Sequence, residues 1–138
     1  MEKETKKILI VEDDTAILDI YKTVFGKFGF EVESASSGKE ALSIIEGIKK
    51  GESEKPVIVL LDLILPDMDG IDLLKAIKSN DVTKNIKVFI MTNKESIGSE
   101  LPEDMKPDEF IVKANVTPID IVELVKKHIG NKILNPKP

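Results

Sequence analysis

Val57-Ile58-Val59-Leu60-Leu61-Asp62-Leu63-Ile64-Leu65-Pro66-Asp67-Met68-Asp69-Gly70 is the stretch on which the reading of this 138-residue chain turns. Its first five residues are apolar and rich in β-branched side chains, which predicts a strand buried on both faces of a parallel sheet. A carboxylate, Asp62, stands where that run stops. Pro66 and the Asp67-Met68-Asp69-Gly70 cluster then turn the chain into a loop before the next amphipathic segment. Open α/β sheets place their ligands at the carboxyl ends of their strands, so Asp62 is either a turn cap or a functional acid. The other strand ends decide between the two.

Upstream, Lys7-Ile8-Leu9-Ile10-Val11 is a second apolar run, and it too ends in acids, Glu12-Asp13-Asp14. Asp14 or Thr15 can cap the helix that follows. That helix carries Ile17, Leu18, Tyr21, Val24, Phe25 and Phe28 at three- and four-residue spacings, with Gly29 as a C-cap. Phe30 to Ala35 alternates in period two, as a half-exposed edge strand does. Ser37-Gly38-Lys39-Glu40 opens a helix with Ala41, Leu42, Ile44, Ile45 and Ile48 on its inner side, and a polar loop from Lys49 to Lys55 leads back to the central strand.

Downstream, Ile71, Leu73, Leu74 and Ile77 mark a helix closing near Ser79-Asn80. Lys87 to Thr92 is a fourth strand ending in a hydroxyl, and Glu109 to Lys113 a fifth ending in a cation. Thr117-Pro118 starts the last helix, with proline at its first position. Its expected buried side is Ile119, Ile121, Val122, Leu124, Val125 and Ile129, and Gly130 stops it. Between Thr92 and Glu109 the pattern demands a helix, but Gly98 and Pro102 predict a short or broken one, since proline inside a helix costs about 3 kcal/mol. The result is an α/β chain of five strand-helix units, with a parallel sheet and helices on both faces.

Composition narrows the function. A net charge of −5 argues against a general nucleic-acid or membrane-surface binder, either of which needs a basic face. With no cysteine, disulfides, thiolate metal sites and cysteine nucleophiles are excluded. No apolar run approaches the roughly 18 residues of a membrane span, and Glu12-Asp13-Asp14 interrupts any signal-peptide core. The chain reads as soluble and cytoplasmic.

In a parallel sheet every carboxyl end points to one rim, which gathers Glu12, Asp13, Asp62, Thr92 and Lys113. Three nearby carboxylates repel and need compensating cations. Lys113 supplies one charge; a hard divalent ion such as Mg²⁺, which prefers carboxylate and carbonyl oxygens, is the natural other. Glu12, Asp13, Asp62 and the main-chain oxygen of Ile64 are its candidate ligands. Asp62, flanked by the metal and Lys113, is suited to attack phosphorus and form an aspartyl phosphate, whose oxygens the Thr92 hydroxyl could meet.

These residues resemble the response-regulator receiver domains of two-component signalling over roughly Lys7 to Gly130. Ile8-Leu9-Ile10-Val11-Glu12-Asp13-Asp14 is similar to the family's first strand and acidic pair. Leu60 to Gly70 is similar to its phospho-acceptor stretch, with the proline four and the glycine eight residues after the acceptor. Thr92 matches the switch hydroxyl, Phe110 the switch aromatic, and Lys113 the family lysine. The resemblance implies a flavodoxin-like doubly wound (βα)5 sandwich of strand order 2-1-3-4-5, spanning residues 1–130, with 131–138 as a short tail. It further implies phosphotransfer to Asp62 from a histidine kinase or phosphotransfer protein, with Mg²⁺. Partner binding would switch through the face built from the fourth helix, fifth strand and fifth helix, in a stand-alone monomer or weak phosphorylation-dependent dimer. Two positions depart from the family pattern. Asn93 stands where a small residue usually follows the switch hydroxyl, and Ala114 where proline usually follows the lysine. Positions two after the acceptor and two after the switch residue, Ile64 and Lys94 here, influence phosphoryl lifetime in the family. Because Ile64 cannot orient a water, slow self-dephosphorylation is expected.

Other functions remain to be weighed. An aspartyl-intermediate phosphohydrolase usually needs an acid two residues after the nucleophile, where this chain has Ile64. A flavodoxin needs a phosphate-cradling loop after the first strand, where this chain has Glu12-Asp13-Asp14. A degenerate receiver acting as a phosphorylation-independent binding module stays possible because of Asn93 and Ala114. His128, the only histidine, reads as a surface residue favoured by the helix dipole rather than a phosphotransfer group.

Overall fold

A computed structural model of the chain describes residues 6–93, 101 and 103–130. Five parallel strands, β1 (Lys7–Val11), β2 (Glu31–Ala35), β3 (Ile58–Leu61), β4 (Lys87–Thr92) and β5 (Glu109–Val112), form one sheet in the order β2-β1-β3-β4-β5. Among the described residues four α-helices connect or follow them: α1 (Thr15–Lys27), α2 (Gly38–Lys49), α3 (Gly70–Lys78) and α4 (Pro118–Ile129). This is the flavodoxin-like order expected from the sequence, with β2 on one edge.

The run Ile58-Val59-Leu60-Leu61 is buried throughout because its side chains feed two separate cores. Ile58 and Leu60 join Ile8, Ile10, Phe25, Phe89 and Val122 under α1 and α4, while Val59 and Leu61 join Leu9, Ala41, Leu73 and Ile90 under α2 and α3. A strand covered on both faces has no room for polar alternation, hence its uninterrupted apolar sequence.

Local chemistry sets the helix ends. Asp14 caps α1, its carboxylate accepting the Ala16 and Ile17 N–H groups, and Gly29 beyond the last turn has φ of 92°. Ser37 caps α2 and Asp69 caps α3. Thr117 and Asp120 form a reciprocal capping box at α4, with Pro118 at its first turn. Gly130 ends that helix at φ of 90°.

Two expectations need correction. Ile119 was expected on the buried side of α4 but is 54% exposed. At about 100° per residue it sits a quarter-turn off the stripe formed by Ile121, Val122 and Val125. His128 is not a free surface residue: its Nε2 lies 2.9 Å from Glu109 Oε2, and its ring packs edge-on against Phe89 at 4.8 Å. Both partners come from strands, which α4 reaches only through tertiary packing. The short or broken helix expected between Thr92 and Glu109, including Gly98 and Pro102, falls on residues 94–100 and 102, outside the described residues. What is described of that connection includes a single 3-10 turn at Glu103–Met105. The expected tail, 131–138, also lies outside them.

Candidate phospho-acceptor site

The site is assembled by main-chain bonds that continue the sheet one residue past its strands. Glu12 N–H donates to Ala35 O at 3.0 Å, and Asp62 N–H to Val11 O at 3.1 Å, which sets the two acids side by side at the carboxyl rim. The loop after Asp62 folds back tightly. Ile64 N–H donates to Asp62 Oδ1 at 3.1 Å, and Gly70 N–H to Leu63 O at 3.0 Å. A Cβ at Gly70 would lie 2.5 Å from Leu63 Cα and 2.8 Å from the Asp62 carbonyl oxygen, so only glycine lets α3 begin this close to the acceptor strand.

Lys113, just past β5, reaches across β4 to Asp62, which follows β3, and to Glu12, which follows β1 beyond it. Its Nζ donates to Glu12 Oε1 at 2.7 Å and to Asp62 Oδ2 at 3.0 Å. Glu12 and Asp62 are buried, Asp13 is exposed, and one carboxylate oxygen from each of the three lies within 4.8 Å of the others. Glu12 is the most constrained, its second oxygen accepting the Asp14 N–H at 3.1 Å. Burial pushes the Glu12 carboxyl above its ordinary pKa despite the Lys113 bond. Burial alone would lower the Lys113 pKa, but its hydrogen bonds to Glu12 and Asp62 outweigh that and hold it above its ordinary value. The lysine is therefore a fixed positive charge at neutral pH. The oxygen-only donor set, with the accessible Asp13 carboxylate at its mouth, fits a hard divalent cation.

The remaining expected residues are placed as follows. Thr92 is fully buried at the end of β4, opposite Val112 of β5 and two residues past the last β3–β4 pair, Leu61 with Ile90. Phe110, opposite Ile90, is half-buried and packs against the core under α2 and α3. Ile64 is 53% exposed. Two contacts were not anticipated. The Asp67 carboxylate, five residues after Asp62, accepts the Gly38 and Lys39 N–H groups at 2.8 Å each, tying the loop after β3 to the start of α2. These bonds hold its carboxyl below the ordinary aspartate pKa. Asn93 Oδ1 accepts the Ala114 N–H at 3.0 Å, joining the two positions that depart from the family pattern. No local spacing announces either contact, since the partners lie 28 or 29 residues apart for Asp67 and 21 apart for Asn93.

Comparison with known proteins agrees with this geometry. Residues 8–126 match the model of the response regulator receiver domain. The chain belongs to that family. The receiver is 42% identical over 87 residues to sporulation initiation phosphotransferase F of Bacillus subtilis, an alignment covering 63% of this chain and 64% of that protein. It spans less than two thirds of the length of such curated relatives, 42% and 44% for two others. Among solved structures it is similar to a CheY-like receiver domain protein from Methanospirillum hungatei JF-1, with TM-score 0.78 and 36% identity over 93% of this chain and 96% of that one. It is also similar to the response regulator TrrA of Thermotoga maritima, solved in complex with Mg²⁺-BeF (TM-score 0.72, 29% identity, 89% of this chain and 98% of that one). Among the described residues of the receiver, no helix is long and apolar enough to cross a membrane.

Proposed function

We propose that this receiver accepts a phosphoryl group on Asp62 from a histidine kinase or a phosphotransfer protein, and that the modification changes which partner it binds. The observation that carries the reading is the single ammonium shared between Glu12 and Asp62, at 2.7 and 3.0 Å. A turn-capping aspartate needs no lysine brought from two strands away, whereas a carboxylate nucleophile for phosphorus needs a cation where charge develops. In the transfer, an Asp62 oxygen bonds to phosphorus as the bond from phosphorus to the donor's imidazole nitrogen breaks. The leaving nitrogen keeps the electron pair. Lys113 orients the carboxylate and meets the incoming oxygens.

Glu12, Asp13, Asp62 and the main-chain oxygen of Ile64 would hold Mg²⁺, which would neutralise the oxygens of the transferring group. The likeness to TrrA, solved with Mg²⁺-BeF, supports this cofactor. Thr92 would then be drawn toward the phosphoryl oxygen and Phe110 would repack, biasing the face formed by β5, α4 and the connection after β4. The protein would act in the cytoplasm as a monomer or a weak phosphorylation-dependent dimer, with residues 1–130 as the functional unit. Acetyl phosphate with Mg²⁺ should add one phosphoryl group to the wild type and none to Asp62→Ala, as read by intact mass. Equal labelling of the two would overturn the assignment of the acceptor.

A further inference from the structure

Lys113 immediately precedes Ala114, whose contact with Asn93 is set by side-chain chemistry rather than by the sheet. The β4–β5 pairing ends at Thr92 and Val112, after which Lys113–Asn115 form a 3-10 turn with no side-chain cap at its start. The bond within that turn is long, Val116 N–H to Lys113 O at 3.5 Å. The next residue of β4's chain, Asn93, supplies what the sheet no longer does: its Oδ1 accepts the Ala114 N–H at 3.0 Å. Only the side-chain oxygen can accept there, which fixes the orientation of the amide.

The demand on this turn is unusual. Lys113 stands two strands from Asp62, roughly 10 Å at the strand spacing, and an aspartate covers little of that span. Its Nζ nonetheless bonds both Asp62 and Glu12. A lysine side chain that must cross β4 to make both bonds has limited reach, so displacement of the Lys113 backbone carries the ammonium out of hydrogen-bonding range.

From this geometry we infer that Asn93 is a positioning residue: it clamps the Ala114 N–H, and through it the Lys113 turn, so that the ammonium stays on Asp62. The bonds of the Lys113 ammonium go to Glu12 and Asp62, and the Asn93 side chain bonds the Ala114 N–H rather than either acid. The inference rests on the reading of Asp62 as a phospho-acceptor.

The test compares wild type with Asn93→Ala, Asn93→Asp, Ala114→Pro and the double variant Asn93→Ala/Ala114→Pro. Three quantities are read: the initial rate with acetyl phosphate and Mg²⁺, the urea midpoint, and by NMR the Ala114 amide exchange with the Lys113 Nζ resonance. Losing one hydrogen bond should slow phosphorylation of Asn93→Ala by about twofold to tenfold. It should also speed Ala114 exchange and broaden the Nζ resonance, while the urea midpoint falls by no more than the loss of one exposed hydrogen bond accounts for. Asn93→Asp, which keeps the acceptor, should keep Ala114 protected. In the Ala114→Pro background, where the donor is gone, Asn93→Ala should have no further effect. An unchanged rate in Asn93→Ala, or an equal slowing in both backgrounds, would overturn the clamp. If Ala114→Pro does not fold, Ala114 exchange in Asn93→Ala and Asn93→Asp decides alone: equal protection in both would also overturn it. A wild type that takes no phosphoryl group would instead sink the phospho-acceptor reading, leaving amide exchange to judge the contact.

Discussion

One ammonium balances two buried carboxylates in this receiver, and the balance is uneven. Glu12 is the deeper partner, its carboxyl pushed up by burial even with Lys113 in place. Lys113→Met would leave Glu12 and Asp62 facing each other without a cation. The expected loss is about 1–3 kcal/mol of stability at pH 7 in the absence of divalent metal, measured by urea denaturation. The sign with pH follows from Glu12. A carboxyl whose folded pKa lies above its unfolded value of 4.5 carries no penalty below that value. The penalty then grows as pH rises toward the folded pKa, so the deficit of the variant should shrink on going from pH 7 to pH 4.5. A variant as stable as wild type at pH 7 would contradict the role given to Lys113. Ile64, half-exposed and apolar beside the acceptor, offers no group to orient a water. Ile64→Asn should therefore shorten the lifetime of the phosphorylated form, followed by intact mass after removing the donor. A wild-type lifetime of seconds, unchanged in the variant, would contradict this.

The acceptor loop is held between two helices, and each attachment has its own signature. Gly70 lets α3 start against the backbone of Leu63 and Asp62. Because the obstructing atoms are main chain, Gly70→Ala must shift the loop, with an expected cost of about 1–3 kcal/mol in thermal or urea unfolding and slower phosphorylation of Asp62. An unaffected rate would show that the loop tolerates the shift. Asp67 holds the other side, at the start of α2. Its carboxyl is depressed below 3.8 by the Lys39 and Gly38 N–H groups, so its contribution is present above pH 3.8 and is lost as pH falls through the lower folded value. The stability difference between wild type and Asp67→Asn should accordingly narrow below pH 3.8; a difference independent of pH would argue against the charged bonds. Pattern marked the stretch from Pro66 to Gly70 as a loop, and the resemblance picked out Gly70 without its steric reason. Turn residues announce that the chain bends, but the cap that Asp69 provides to α3 was not among the expectations. The 28- and 29-residue separations between Asp67 and its donors carry no local signal.

At the scale of the whole molecule, hydrophobic pattern was enough for the strands and their parallel direction, while their order came from the family resemblance. Ile58 to Leu61 and Ile8 to Val11 could be uninterrupted and apolar only if covered on both faces, and the two cores under the α1/α4 and α2/α3 pairs cover them. The rim followed from direction: parallel strands bring Glu12, Asp62, Thr92 and Lys113 to one end whatever the loops do. What pattern alone missed depends on where elements meet in space. Ile119 satisfies helical spacing but lies off the stripe that meets the sheet, and His128 found Glu109 and Phe89 on strands that α4 packs against. Asn93 and Ala114 were visible as departures, but not as partners. On the proposed reading the rim catalyses transfer of a phosphoryl group from a donor to Asp62. Treating the protein with acetyl phosphate and Mg²⁺, reducing the acyl phosphate with borohydride and mapping the product by peptide mass spectrometry tests it most directly. The expected result is homoserine at position 62, absent when EDTA replaces Mg²⁺; homoserine at another carboxylate, or none with Mg²⁺ present, would contradict it.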